Sequence, residues 1–175
     1  MPKAPSVEEV GIREYHTIVK ICNNAMSTYL TACENGPVSG NFISYRNSLL
    51  NFCPPGRDAT NDDREKFENV DKELSIRKRL LKKLRKDLKE EGIESIDCTL
   101  GGYTSIDIYP TGWDKTYALR YFKGRDVWFV GDRARDPSGN DYEIHKACEP
   151  RSFHTNSPIT TDSIIFINIH NIFCN

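Results

Sequence analysis

Apolar residues in the first part of the chain recur at helical intervals. Between positions 8 and 34, Ile12, Tyr15, Ile18, Val19, Cys22, Met26, Tyr29 and Leu30 fall largely three or four apart, which predicts a helix with one buried face. Asn35-Gly36-Pro37 ends it, because proline cannot continue a helix. Phe42, Ser44 and Arg46 then alternate with Ile43 and Tyr45. This period of two predicts strands over 41–46 and 48–53 with the turn at Asn47, closed by Pro54-Pro55-Gly56. Helical spacing returns over 61–91, where Phe67, Val70, Leu74, Leu81, Leu84 and Leu88 form one stripe among charged residues. A break is predicted near Asn69, with Asp71 placed to cap a second helix. Positions 94–100 and 103–109 predict a second hairpin turning at Gly101-Gly102.

Helix, two strands, helices and two strands suit an antiparallel sheet covered on one face. The character changes at Pro110. Asp114 is placed to cap a helix to about Phe122, and 126–131 (DVWFVG) is a continuous apolar run expected to be buried on both faces in a parallel sheet. A short helix from about Asn140 and a strand over 152–156 follow. The fold class is therefore α/β overall: an α+β domain over 1–109 with a four-stranded antiparallel sheet, then an α/β segment over 110–175. The stretch 163–175 (SIIFINIHNIFCN) has β-type propensity, and the tail is atypical from about 159.

Composition narrows the partners. The 175 residues carry a net charge of −1, which gives no general attraction to nucleic acid or to membrane surfaces. No apolar run is long enough to span a bilayer, and the first residues do not read as a secretory signal. The six cysteines are scattered without a C-x-x-C pair, which favours free thiols in a reducing cytosol. The basic run over 77–89 is interleaved with acids, the pattern of a solvated helix face rather than a nucleic-acid patch.

Three arginines carry the first chemical signal. Arg46 falls on a strand, Arg57 after Pro-Pro-Gly, and Arg64 at a helix start. Guanidinium forks bind phosphate bidentately, so the set could clamp a phosphosugar; three ordinary surface arginines are the alternative. Ser105 and Asp107 lie two apart on one strand and share a face, where they could bond sugar hydroxyls or simply form a polar outer surface. In the tail, Asp132 ends an apolar strand and Asp141 follows Gly139-Asn140. Strand-end carboxylates in an α/β sheet face the ligand crevice and suit Mg²⁺, with Lys115 able to neutralise a phosphate. A turn, a helix cap and a surface lysine explain the same three residues equally well.

Longer motifs point to a family. Phe42-Ile43-Ser44-Tyr45-Arg46-Asn47, Leu50-Asn51 and Pro55-Gly56-Arg57 resemble the cap signature of the eukaryotic phosphomannomutases, members of the haloacid dehalogenase superfamily. The block from Gly101 to Lys115 (GGYTSIDIYPTGWDK) resembles it more specifically. Phe129-Val130-Gly131-Asp132 and Gly139-Asn140-Asp141-Tyr142-Glu143-Ile144 resemble the family's metal-side motif. Order and spacing agree over about 8–158.

The resemblance implies a cap domain to about residue 109 that binds substrate and dimerises, then the C-terminal part of a Rossmann-like core. It implies interconversion of mannose 6-phosphate and mannose 1-phosphate through a hexose bisphosphate, with Mg²⁺ as cofactor, feeding GDP-mannose and glycosylation in the cytoplasm. By the same resemblance Arg46, Arg57 and Arg64 hold the non-reacting phosphate, and Ser105 and Asp107 contact the sugar. Lys115 supports the core, Asp132 and Asp141 match the metal-side acids, and His145 and Glu149 are weaker ligand candidates. The family's D-x-D-G-T motif, which supplies nucleophile and acid/base, does not occur in these residues, so the chain as written is expected to lack mutase activity. A catalytically silent phosphosugar-binding or dimerising cap is one alternative. An interaction module presenting the helix over 61–91 is another.

Overall fold

The computed structural model describes residues 11–170, which form two compact units divided between Thr111 and Gly112. In the first, helix α1 (Ile12–Ala32) buries Ile18, Ile21, Cys22, Ala25, Met26 and Tyr29. Ile12 and Leu30 lie outside this stripe and are exposed. The helix stops where the Cys33 N–H returns to the Tyr29 carbonyl. Gly36 is needed there for space: a Cβ would lie 2.6 Å from the Tyr29 hydroxyl, which donates to the Pro37 carbonyl.

Strands β1 (Ile43–Tyr45) and β2 (Leu50–Phe52) form the expected hairpin, with Asn47 at φ 56° in its turn. Asparagine tolerates this left-handed conformation better than most side chains. Helix α2 (Asn61–Leu74) starts in a capping box in which Thr60 and Asp63 each accept the other's backbone N–H.

The junction to α3 (Ile76–Glu90) falls at Ser75, in the left-handed region, six residues beyond the expected break at Asn69. Asp71 therefore lies inside α2 and is not the α3 N-cap, a position held by Ser75 without a side-chain cap bond. Its carboxylate reaches across the Ser75 junction and accepts from the backbone N–H of Arg77 at 2.7 Å and from Arg77 Nε at 2.7 Å. The α3 cap is thus supplied by the last turns of α2, and Leu74 beside the kink is left exposed.

Strands β3 (Ile96–Leu100) and β4 (Ile106–Pro110) complete an antiparallel sheet of order β1-β2-β4-β3. Helix α1 packs on α3, and α3 packs on β3. Tyr29, Phe52, Phe67, Leu84, Cys98 and Ile106 are among the side chains sealed in the core between helices and sheet.

In the second unit, Asp114 caps a 3₁₀ helix over Lys115–Phe122 by accepting the Thr116 N–H. Strand β5 (Phe129–Gly131) pairs in parallel with β6 (Ser152–His154), and α4 (Tyr142–Ala147) connects them. The apolar run 126–131 was expected to be buried on both faces. Only its last three residues form strand, and Val127 to Val130 are half-buried, because among the described residues of this unit the sheet has two strands and cannot cover both faces.

The tail also departs from expectation. Helix α5 (Pro158–Ile165) runs into a π-helical turn over Phe166–His170, where 163–175 had read as β; residues 171–175 lie outside the described residues. Ser157 accepts the Thr160 N–H at 3.1 Å and proline occupies the first turn. These local start signals win because β propensity expresses itself through cross-strand neighbours, and among the described residues β6 pairs only with β5.

Candidate functional site

The centre of the first unit's sheet builds the site. Register between β2 and β4 sets Asn51 opposite Asp107. Asn51, 1% exposed, donates from Nδ2 to Asp107 Oδ1 at 2.7 Å. Its Oδ1 faces Arg57 Nη1 at 3.5 Å, the long limit of a hydrogen bond.

Arg57 is aimed by the loop after β2. Gly56 has φ 92°, and a Cβ there would lie 2.2 Å from the Gly40 carbonyl oxygen, so only glycine lets the two loops close. Arg64, in the first turn of α2, donates from Nη2 to the Arg57 carbonyl at 2.6 Å and from Nε to the Ala59 carbonyl at 3.1 Å. Two of its five N–H groups thereby fix the fork, and the others are left to bind a ligand.

The turn between β3 and β4 brings in Ser105 and Asp107. A Cβ on Gly101 would stand 2.6 Å from Ser105 Oγ and 3.0 Å from Asp107 Oδ2, so both polar groups converge on the space this glycine leaves. Arg77 secures the turn from behind by donating Nη1 to the Gly102 carbonyl at 2.6 Å while paired with Asp71.

Arg46, Arg57, Arg64, Ser105 and Asp107, the five residues expected to contact substrate, line one cavity of ≈ 320 Å³ together with Asn51, Glu68 and Thr104. That size suits a small ligand. Three guanidinium groups outnumber two carboxylates on its wall, so it favours an anion that also carries hydroxyls. Asn51, Glu68, Thr104 and the spacing role of Gly101 were missed as site features. Asn51 sits between apolar Leu50 and Phe52 on a strand sealed at all three positions, and a buried asparagine there is a signal that sequence carries. Glu68 lies one helical turn after Arg64, a relation that only the placement of α2 makes meaningful.

The residues expected in the second unit divide into separate groups. Asp141 is 2% exposed; one carboxylate oxygen pairs with Lys115 Nζ and the other accepts the Arg133 N–H at 3.1 Å. Gly131 makes room for it, since a Cβ would lie 2.6 Å from Asp141 Oδ2. His145 Nδ1 meets Ser152 Oγ at 2.5 Å, and its Nε2 lies 3.9 Å from Glu149. Asp132 is exposed at the end of β5. Among the described residues no three His, Cys, Asp or Glu side chains group to hold a metal, so the four expected ligands do not form one donor set. At Asp141 both oxygens accept N–H donors, which fixes the carboxylate within this unit. Among the described residues, exposed Asp132 can offer one oxygen ligand, fewer than the several that Mg²⁺ takes.

The five described cysteines are free and buried. Burial pushes the Cys22 and Cys98 thiols up to about 12. Among the described residues no helix is long and apolar enough to cross a membrane.

The chain is thus of mixed helix and strand, and its antiparallel-sheet unit carries a cavity walled by three arginines, hydroxyl groups and two carboxylates. Two solved structures share the fold. An N-terminally truncated IMP-nucleotidase from Plasmodium falciparum superposes with a TM-score of 0.54 at 13% identity, over 92% of this chain and 40% of that one. Its IMP-bound form gives 0.52 over 89% and 39%. At this identity the likeness shows the fold alone.

The chain belongs to the eukaryotic phosphomannomutase family, whose sequence profile, described as "Eukaryotic phosphomannomutase", matches residues 6–172. The match reaches residue 172. Similar relatives include the phosphomannomutase of Drosophila melanogaster, 37% identical over 84% of this chain and 58% of its own length. That of Encephalitozoon cuniculi is 36% identical over 79% and 54%. Phosphomannomutase 2 of Dictyostelium discoideum is 39% identical over 72% and 51%. The chain spans about half the length of the curated relatives it matches.

Proposed function

We propose that this chain is the substrate-gripping part of a phosphomannomutase, the enzyme that interconverts mannose 6-phosphate and mannose 1-phosphate. One observation carries the proposal: the three arginines and the Ser105–Asp107 pair, far apart in sequence, line a single cavity. The guanidinium groups of Arg46, Arg57 and Arg64 bind the phosphate that is not reacting. Ser105 donates to, and Asp107 accepts from, sugar hydroxyls.

The same proposal covers what the family implies beyond binding. Asp132 would supply one oxygen ligand to magnesium, and Lys115 would balance phosphate charge. Association as a homodimer through the first unit, a cytoplasmic setting and service to GDP-mannose supply belong to it as well.

Titration calorimetry tests the proposal. The chain is expected to bind mannose 1-phosphate more tightly than inorganic phosphate, and both more tightly than mannose. Arg57→Ala and Arg64→Ala should each weaken mannose 1-phosphate about tenfold or more, since a hydrogen bond to a charged group contributes about 1.5–3 kcal/mol. Failure of the folded chain to bind, or equal binding by both variants, refutes it.

A second reading has its own support. The 175 residues contain no D-x-D-G-T motif, and phosphoryl transfer needs a positioned oxygen nucleophile. This chain alone therefore binds phosphosugar without turning it over. Conversion of mannose 1-phosphate by it, with a hexose bisphosphate and Mg²⁺ added, overturns that reading.

A further inference from the structure

The residue at the centre of the cavity wall is neither an arginine nor a sugar-contacting acid. Asn51 is almost wholly buried in the middle of β2, flanked by Leu50 and Phe52. A buried amide in such a strand is costly unless both of its ends are matched. Here they are matched in opposite senses. The NH₂ end donates to Asp107 at 2.7 Å, and the carbonyl end faces the Arg57 guanidinium at 3.5 Å. An amide is the small side chain that can do both, since a carboxylate has no donor and a hydroxyl has shorter reach.

We propose that Asn51 is a positioning residue that couples the phosphate end of the site, through Arg57, to the sugar end, through Asp107. The inference rests on the phosphosugar reading of the cavity and names a device within it. Bonding to Asn51 Nδ2 occupies Oδ1 of Asp107, which leaves Oδ2, the oxygen beside Ser105 and Gly101, turned to a sugar hydroxyl. When a phosphate draws the Arg57 fork, the amide carbonyl loses or gains its longer bond, and the amide plane is shared with Asp107. Phosphate and sugar recognition then stop being independent. The cavity favours a ligand carrying both groups at a fixed separation over either group alone.

A double-mutant cycle on the full chain tests this by calorimetry. Mannose 1-phosphate affinity is measured for wild type, Arg57→Ala, Asp107→Ala and the double variant, each with Asn51 and again with Asn51→Ala. With Asn51 present, the double variant should depart from the product of the single effects by about threefold to tenfold, as for residues in one hydrogen-bond network. With Asn51→Ala the two effects should multiply. A merely structural asparagine would weaken every member alike and leave the departure unchanged, which overturns the proposal.

Asn51→Asp gives a second readout should the alanine variant fold poorly. Two facing carboxylates cannot both ionise readily, so the pair comes to hold one proton and regains the donor geometry as pH falls. Affinity for mannose 1-phosphate, expressed relative to wild type at each pH to cancel the ligand's own titration, should be reduced more than tenfold at pH 8 and recover severalfold by pH 5. A pH-independent ratio overturns the proposal. Wild-type chain that binds no phosphosugar removes the underlying reading and this inference with it. Binding that depends on Arg57 but shows no Asn51-dependent coupling removes the inference alone.

Discussion

Replacing Asp71 with alanine should destabilise the first unit by about 3 kcal/mol, as follows from what the carboxylate holds. One oxygen caps α3 at the Arg77 N–H and the other pairs with Arg77 Nε, both at 2.7 Å. The two side chains are 12% and 10% exposed, so the pair is largely shielded from water. Removing one partner of a buried pair costs about 3–5 kcal/mol, because the remaining charge is left without its counterion. The lower end applies here, since Arg77 keeps its bond to the Gly102 carbonyl and some contact with solvent.

Urea unfolding followed by circular dichroism at 222 nm is the assay, because α1, α2 and α3 all lie in this unit. The midpoint should fall with little change of slope, and the melting temperature should drop by roughly 12 °C for a unit of this size. The double variant Asp71→Leu/Arg77→Met should recover much of the loss, because it removes the stranded charge along with its partner. A shift below about 1 kcal/mol for Asp71→Ala would refute the reasoning, as would a double variant weaker than the single one.

Three further outcomes are expected. Both tryptophans, Trp113 and Trp128, lie in the second unit, so their fluorescence should report a transition at lower urea than the helical signal, in keeping with its two-stranded sheet; coincident curves would contradict this. Two glycines should behave oppositely. Gly56→Ala meets backbone and should cost about 2 kcal/mol or more in unfolding experiments, whereas Gly101→Ala meets the rotatable Ser105 hydroxyl and should fold normally while weakening mannose 1-phosphate binding in calorimetry. The raised thiol pKa values of Cys22 and Cys98 set a pH dependence. The folded state keeps protons that the unfolded chain releases near pH 9, so this contribution is intact below that pH and lost as pH climbs towards 12. Each thiol steepens the fall by about 1.4 kcal/mol per pH unit, and Cys22→Ala/Cys98→Ala should flatten it in alkaline urea titrations.

Pattern and motif set much of this protein in advance. The amphipathic stripes of α1 and α3, the Asn47 turn and the hairpin around Gly101-Gly102 are local features, decided by period and by backbone preference. Arg46, Arg57, Arg64, Ser105 and Asp107 could be named because they sit in long motifs, but their meeting could not be. Four segments spread over some sixty positions become one cavity wall only when β2 lies beside β4 and α2 turns its first residues inwards. Asn51 escaped notice for the same reason, since its partners Asp107 and Arg57 lie across the sheet and in the following loop, and Glu68 joins the cavity wall only through the placement of α2. The kink moved from Asn69 to Ser75 because Asp71 found Arg77, a pairing settled by the burial of both side chains. The tail became helical because Ser157 and Pro158 start a helix locally, whereas strand propensity needs a neighbouring strand to act upon. Sequence determined the elements whose energetics are short-ranged; the tertiary structure decided every feature whose stabilising partner lies elsewhere in the chain.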